Sequence, residues 1–193
     1  NVHKALTAID VNADWVGLRE VKETTTYRVV RDGNPQVNSR NTDHGVMVEV
    51  LADGQFGYYG CNNLNHENIQ NAAEKALKQA KASAKNPIYK FTEEARPATK
   101  GSFQTSYKKS VDELSAGRLN EIMLKAYNQI KVNDQIVSAH AMAMIIETEC
   151  NFVSSNGSDV QQSFLMVQSD YSAMANKDDI YQRRSDNHCM QIG

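Results

Sequence analysis

The alternation of apolar and polar residues predicts long antiparallel strands joined by tight turns. In residues 45–52 the valines fall on one face of a strand, and Met47, Glu49 and Leu51 fall on the other. Asp53-Gly54 follows, and this dipeptide suits a two-residue turn because both of its positions need a positive φ. Residues 55–60 then form the return strand. The pattern therefore predicts a β-hairpin over residues 45–60.

Other extended segments follow the same logic. A first run with strand character ends at the turn signal Asp32-Gly33-Asn34-Pro35, and Asn156-Gly157 separates two later runs as a second hairpin signal. The predicted extended segments outside the first hairpin are residues 15–31, 135–152, 160–169 and 171–184.

Two segments have helical periodicity. Asn65 is a suitable N-cap for an alanine-rich helix that ends at Asn86-Pro87. Ser110 and Glu113 have the spacing of a capping box, which predicts the start of a second helix. The apolar stripe of that helix consists of Leu119, Ile122, Met123, Ala126, Tyr127 and Ile130.

These elements predict an α+β fold of two small lobes, each with an antiparallel hairpin or sheet and one main helix. We expect a first domain over residues 1–86 and a second α+β domain over residues 110–193. Residues 87–109 lack periodicity and are rich in Ser, Thr and Lys. They are predicted to be a connector that lies on the surface.

Composition restricts the class of protein. The 193 residues are 40% hydrophobic and 23% charged, with a formal net charge of -2, as in soluble globular proteins without a nucleic-acid-binding surface. The longest uncharged apolar stretch, residues 139–146, is too short to cross a membrane, and no signal peptide is evident. Three scattered cysteines indicate a reducing compartment, so we expect a cytoplasmic location. The sequence begins at Asn1 rather than Met, as expected of a truncated or processed polypeptide.

The residues alone indicate no catalytic or metal site. The five histidines include no i, i+4 pair, and His66-Glu67 is not followed by a second histidine at zinc-binding spacing. His188-Cys189 could ligate a metal with another cysteine, but a free thiol beside a surface histidine fits better. Gly54, Gly57 and Gly60 lack the Lys-Ser/Thr of a phosphate-binding loop. Glu147 and Glu149 share one strand face, which a water-facing strand explains as well as acid–base chemistry.

One pattern resembles a known family. The hairpin Gly45-Val-Met-Val-Glu-Val-Leu-Ala-Asp-Gly-Gln-Phe-Gly-Tyr-Tyr-Gly60 and the following alanine-rich helix resemble the N-terminal domain of the TldD/PmbA family, also named modulator of DNA gyrase. Further similar segments are Ala13-Asp14 with Arg19, residues 27–31, Phe152-Val-Ser-Ser-Asn-Gly157, Gln182-Arg-Arg-Ser185 and Gln191-Ile-Gly193. The sequence departs from the family at Glu49, where many members carry Arg.

The resemblance implies a non-catalytic N-terminal portion of a zinc metallopeptidase that degrades or matures unfolded peptides. Zinc is expected in the full-length TldD-type protein, held by a His-Glu-x-x-x-His motif that this sequence lacks, so no catalytic or metal residue is assigned here. The segment Gln182–Ser185 favours the TldD type. A homodimer or heterodimer with a TldD/PmbA-type subunit is expected, in which this portion supplies chamber walls, a partner interface and peptide capture.

Two alternative functions are also open, and four glycines are predicted to have structural roles. The chain could instead be a PmbA-like non-catalytic partner subunit, or an unrelated module that binds peptides or small molecules. Gly45, Gly54, Gly57 and Gly157 are the predicted structural glycines. Gly54 and Gly157 would supply positive φ in the hairpins, and Gly57 would allow a close approach of backbone.

Overall fold

A computed structural model describes residues 1–191 and has the predicted α+β class. The helices are α1 (Val2–Thr7), α2 (His66–Ser83) and α3 (Ala116–Ile130). The strands are β1 (Trp15–Arg31), β2 (Asn34–Ala52), β3 (Gln55–Cys61), β4 (Lys100–Gln104), β5 (Ile136–Ser154), β6 (Asp159–Lys177) and β7 (Ile180–Met190). Single 3₁₀ turns cover Glu93–Ala95 and Val111–Glu113.

The strands form a seven-stranded sheet in the order β3-β2-β1-β5-β6-β4, and β7 also pairs with β6. The β2–β3 and β6–β7 pairs are antiparallel, and β4 runs parallel to β6. The chain divides into two compact units. Unit 1 contains residues 1–23, 43–104 and 148–163, and unit 2 contains residues 24–42, 105–147 and 164–193. The domain limits expected from composition, 1–86 and 110–193, stay a prediction.

The core of unit 1 lies between α2 and the valine face of β2. Ile69 and four alanines of α2 pack on Val46, Val48 and Val50, and Leu18 of β1 is fully buried beside them. The predicted hairpin is confirmed, with Asp53 at φ 54° and Gly54 at φ 76° in its two-residue turn. The predicted cap is also confirmed, because the Asn65 side chain accepts a hydrogen bond from the Asn68 N–H.

Gly57 permits the contact between α2 and β3. A Cβ at this position would lie 1.9 Å from the Ala76 carbonyl oxygen and 2.8 Å from the Ala80 nitrogen. These distances are far shorter than van der Waals contact, so no residue with a Cβ fits unless the helix moves. The small side chains of α2 and the absent side chain of Gly57 together bring the helix axis close to the sheet.

The core of unit 2 lies beneath α3. Leu119 and Met123 of the helix pack on a set of apolar residues from three strands, namely Val30, Ala141, Ala143, Ile145 and Leu165. The β1–β2 turn is fixed to β5 in the same unit. The backbone of Asp32 donates to the Ala139 carbonyl at 3.0 Å, and its carboxylate accepts from the Ala139 N–H at 2.9 Å.

The predicted start of α3 is wrong. The Ser110 hydroxyl accepts from the Asp112 N–H, but the chain makes only one 3₁₀ turn before Leu114 leaves the helical region at φ −98°, ψ 89°. Ser115 is the true N-cap of α3, and its side chain accepts from the Arg118 N–H. The capping-box spacing was present, but no regular apolar period follows it until Leu119.

The strand limits also differ from the predictions. Asp178 and Asp179, at φ 51° and 62°, form a turn that divides the predicted extended segment 171–184 between β6 and β7. Aspartate tolerates the left-handed region, so this turn carries no glycine signal. The second hairpin is confirmed, but its loop has four residues, Ser155–Ser158, with Gly157 at φ 97°. Strand β4 and helix α1 were not predicted.

We predict that Gly57→Ala lowers the free energy of unfolding by about 2 kcal/mol or more, because the new methyl group must displace α2. Urea unfolding followed by circular dichroism measures this effect. Gly60→Ala is the matched control, since its Cβ would lie 3.8 Å from the Val46 carbonyl oxygen, an ordinary contact. Equal stability of the two variants would contradict the assigned role of Gly57.

Candidate functional site

An apolar cleft in unit 2 is the candidate binding site. It has a volume of about 520 Å³ and lies between α3, the 3₁₀ turn before it, and the strands β5 and β6. Its apolar lining consists of Val111, Leu114, Leu119, Ile122, Met123, Ala143, Ile145, Leu165 and Val167. Concave apolar sites of this size are typical of ligand-binding clefts.

Local sequence explains the shape of the cleft. Ala143 contributes only a methyl group to the floor between α3 and the sheet, and this small side chain leaves room above β5. Ile122 lies at the mouth with 39% of its surface exposed, although it belongs to the apolar stripe of α3. Periodicity predicts the stripe, but it carries no signal that part of the stripe lines an open cleft.

The polar residues around the cleft are few and sit at its rim. They are Lys109, Ser110, Glu113, Arg118 and Ser169. Arg118 donates to the Glu121 carboxylate at 3.0 Å along the exposed face of α3. These groups can orient a bound chain, but they do not assemble a nucleophile with a base. The cleft is therefore suited to hold an apolar side chain rather than to perform chemistry.

A buried ionic cluster occupies the other face of β2, in unit 1. The Glu49 side chain is 4% exposed, and its two oxygens lie 3.3 Å from Arg19 Nη2 and 3.4 Å from Arg96 Nε. Arg96 also lies over the Phe56 ring, with its guanidinium carbon 4.8 Å from the ring centroid. Two cations compensate one buried carboxylate, so this cluster holds residues near Arg96 against the sheet.

Cys150 is half-buried and lies near this cluster. Burial raises the pKa of the Cys150 thiol, and the positive charge of Arg19 offsets the effect only in part. A thiol with a raised pKa stays protonated at neutral pH, and the thiolate is the reactive form. Cys61 is also half-buried and Cys189 is exposed; all three cysteines are free.

The structure brings together a Ser–His–Asp group that sequence reasoning missed. His140 Nε2 lies 2.7 Å from Asp170 Oδ1, and His140 Nδ1 lies 2.8 Å from Ser172 Oγ. Asp170 and Ser172 are two residues apart and so lie on the same face of β6. Whether they meet His140 depends on the register between β6 and β5. Ser172 is only 6% exposed, so a substrate carbonyl cannot reach its hydroxyl. We assign this group to the pairing of β5 with β6.

The predicted structural glycines do not converge on one site. Gly54 and Gly157 have positive φ, and Gly57 lies against α2. A Cβ on Gly45 would lie 3.7 Å from the Cys61 carbonyl oxygen, which is an ordinary contact. Of the C-terminal segment that resembles the family, Ile192 and Gly193 lie outside the described residues.

Residues 1–191 contain no group of three or more His, Cys, Asp or Glu side chains that could hold a metal ion. The side chains of these residues therefore do not fit a zinc centre. His66 lies at the start of α2, where its Nε2 is 3.1 Å from the Ala8 carbonyl oxygen. His188 lies on exposed β7, 3.9 Å from the Asp186 carboxylate. Over the same residues, the helices are too short or too polar to span a membrane.

One protein-family model matches part of this sequence. Residues 16–80, which include the β2–β3 hairpin and most of α2, match the model of PmbA/TldA metallopeptidase domain 1. No curated protein matches the sequence. The family match therefore rests on the segment that contains Gly57, Glu49 and the capped alanine-rich helix.

Solved structures share the fold. A protein from Bacteroides thetaiotaomicron named modulator of DNA gyrase superposes with a TM-score of 0.77 at 13% identity, over 98% of this chain and 44% of its own. A Thermotoga maritima protein of the same name gives 0.68 at 16% identity, over 92% and 40%. TldE from Thermococcus kodakarensis gives 0.68 at 15% identity, over 98% and 42%. The chain thus spans less than half the length of these structures, and the findings support its resemblance to the TldD/PmbA family.

We predict that Arg19 and Arg96 can substitute for each other as partners of Glu49. Arg19→Ala and Arg96→Ala should each cost about 1 kcal/mol of unfolding free energy, since one cation remains beside the carboxylate. The double variant should cost about 4 kcal/mol in total, more than the sum of the two single effects, because it leaves a buried carboxylate without a cation. Urea unfolding at neutral pH measures all three variants.

Arg118→Ala serves as the control for loss of an arginine, because the Arg118–Glu121 pair is exposed. Its effect should be no more than about 0.5 kcal/mol. Additive effects of the two single substitutions would show that Arg19 and Arg96 do not share the carboxylate.

Proposed function

We propose that this chain is a TldD/PmbA-type protein and forms the non-catalytic N-terminal portion of a zinc metallopeptidase that degrades or matures unfolded peptides. The match of residues 16–80 to the first domain of that metallopeptidase family carries the proposal. The similarity in fold to TldE and to two proteins named modulator of DNA gyrase, over at least 92% of this chain, supports it.

The apolar cleft of unit 2 supports a role in peptide capture. An unfolded peptide exposes apolar side chains that a folded protein buries, and a cleft of about 520 Å³ can accommodate one or two of them. Lys109 and Arg118 at the rim can hold carbonyl oxygens or acidic side chains of the peptide by charge-assisted hydrogen bonds. In this proposal the chain binds and orients the substrate and forms part of the chamber wall.

In this proposal, residues elsewhere in the whole protein carry out peptide hydrolysis. Zinc, which the family resemblance implies, would activate a water molecule for hydrolysis. Residues 1–191 contain no group of three or more His, Cys, Asp or Glu side chains that could hold a metal ion, so the proposal assigns no zinc ligand to this portion. The proposed complete enzyme is cytoplasmic and acts as a homodimer or as a heterodimer with a TldD/PmbA-type subunit. The net charge of -2 does not favour nucleic acid as a ligand.

A second candidate is the PmbA-like partner subunit without its own zinc. The similarity of the fold to TldE supports this candidate, whereas the resemblance of Gln182–Ser185 favours the TldD type. Metal analysis of the purified full-length protein separates the two. One bound zinc per chain supports the TldD type, and a protein that folds and dimerises without zinc supports the partner subunit.

We predict that Ile122→Glu weakens peptide binding about tenfold, because it places a carboxylate at the apolar mouth of the cleft. The measurement is fluorescence anisotropy with a labelled, unstructured peptide that contains several Leu and Phe residues. Ile122 is 39% exposed, so the variant should retain its fold, which circular dichroism verifies.

Asn128→Glu is the matched control, since it adds the same charge to an exposed position of α3 outside the lining of the cleft. It should bind the peptide as the unmodified chain does. A peptide in which Gly and Ser replace Leu and Phe should bind neither protein. Unchanged affinity of the Ile122→Glu variant would exclude the cleft as the capture site.

A further inference from the structure

Strand β7 presents a long main-chain edge. Every residue of Ile180–Met190 is exposed, and among the described strands β7 pairs with β6. Eleven residues of extended chain make an edge of roughly 37 Å. Edges of this length pair readily with another strand unless charges or bends prevent it.

The register of the β6–β7 hairpin determines which groups face outward. Lys177 pairs with Ile180 across the two-residue turn, and the pairing continues to Val167 with Met190. In such a hairpin the closing pair exchanges hydrogen bonds, and every second pair does so after it. The even-numbered residues of β7 therefore bond to β6. The odd-numbered residues, from Tyr181 to Cys189, direct their N–H and C=O groups to the free edge.

Two charged side chains of β7 currently hold outward-facing groups of their own strand. Arg184 Nη1 donates to the Arg183 carbonyl at 2.9 Å, and the Asn187 N–H donates to Asp186 Oδ1 at 2.9 Å. Arg184 and Asp186 are thus placed on either side of Ser185, each next to one group of the edge. The same side chains have other partners, because the Tyr171 hydroxyl donates to Asp186 Oδ2 at 3.1 Å and Arg184 Nη2 donates to Gln182 Oε1 at 3.4 Å. A second strand that took over the two main-chain groups would free Arg184 Nη1 and Asp186 Oδ1.

We infer that β7 pairs with β7 of a second copy of this chain, antiparallel and with the two-fold axis at Ser185. In this register residues whose numbers add to 370 lie opposite each other. The pairs are Ser185 with itself, Arg184 with Asp186, Arg183 with Asn187, Gln182 with His188, Tyr181 with Cys189, and Ile180 with Met190.

This register pairs the outward main-chain groups of the two strands and places complementary side chains opposite each other. Odd residues meet odd residues, so the outward N–H and C=O groups of both strands can form roughly ten main-chain hydrogen bonds. The Arg183 carbonyl receives the Asn187 N–H of the second copy, and Arg184 is freed to pair with Asp186 of that copy. The two-fold axis creates two Arg184–Asp186 pairs and two Ile180–Met190 pairs. Cross-strand pairs of opposite charge and of apolar side chains stabilise a sheet.

The inference names the interface of the homodimer that the proposed function expects, and in that respect it rests on that function. Its tests measure association rather than peptide binding or hydrolysis. A failure of the β7 pairing therefore leaves the peptide-capture experiment unaffected, and a failure of peptide capture leaves this interface unaffected.

Disulfide trapping tests the register directly. In full chains that carry Cys61→Ser and Cys150→Ser, the added Tyr181→Cys substitution should give disulfide-linked dimers with Cys189 of the second copy under mild oxidation. Directly opposed residues on neighbouring strands lie within the Cα–Cα range that a disulfide requires. Gln182→Cys is the matched control, because residue 182 lies on the opposite strand face from Cys189 and should remain largely unlinked.

A charge exchange provides an independent test by sedimentation equilibrium. Arg184→Asp and Asp186→Arg should each weaken the dimer about tenfold, because like charges then face each other in two places. The double variant restores opposite charges and should recover an affinity within about threefold of the original. Circular dichroism verifies that the variants keep their fold.

Two results would overturn the inference. One is a chain that remains monomeric over the whole concentration range, which would leave the β7 edge to a peptide or to another strand. The other is a dimer in which Gln182→Cys links as efficiently as Tyr181→Cys, or in which the double charge variant is no stronger than the single ones. Efficient linkage through Tyr181→Cys with recovery in the double variant supports the register.

Discussion

The close approach of α2 to β3 is the constraint on which unit 1 depends. At Gly57 the backbone of β3 lies against the backbone of α2 near Ala76 and Ala80, in a space that a single methyl group would overfill. This contact requires a glycine on the strand and alanines on the helix at the same time. It brings Ile69 and the helix alanines onto the valine face of β2, where they form the apolar core of unit 1. The family match over residues 16–80 covers the elements that make this contact.

The two faces of β2 are stabilised by different forces. Its valines face α2 and gain from the removal of apolar surface from water. Glu49 on the opposite face is buried as a charge, which is tolerable only because Arg19 and Arg96 approach its two oxygens. A carboxylate at position 49 therefore depends on at least one of these two arginines.

The features with functional potential lie where packing is incomplete. In unit 2, Ala143 leaves a cleft below α3, and Ile122 remains partly exposed at its mouth. Strand β7 has an unburied edge, and two of its outward main-chain groups form hydrogen bonds with Arg184 and Asp186. Among the described residues, neither feature holds a group of three or more His, Cys, Asp or Glu side chains that could bind a metal ion. The Ser172–His140–Asp170 group has catalytic residue types, but its buried hydroxyl marks it as a structural link.

Local patterns by themselves determined the β2–β3 hairpin, the Asn65 cap of α2 and the α+β class, because alternation, turn residues and capping act over a few residues. They missed β4, since Lys100–Gln104 has no alternation and becomes a strand only by pairing with β6. They also missed the Asp178-Asp179 turn, where aspartates adopt a conformation usually signalled by glycine. The cleft and the ionic cluster were decided by tertiary structure alone. Arg19, Glu49 and Arg96 are far apart in sequence, and whether Ile122 lines a core or a cleft depends on what the facing strands leave unfilled.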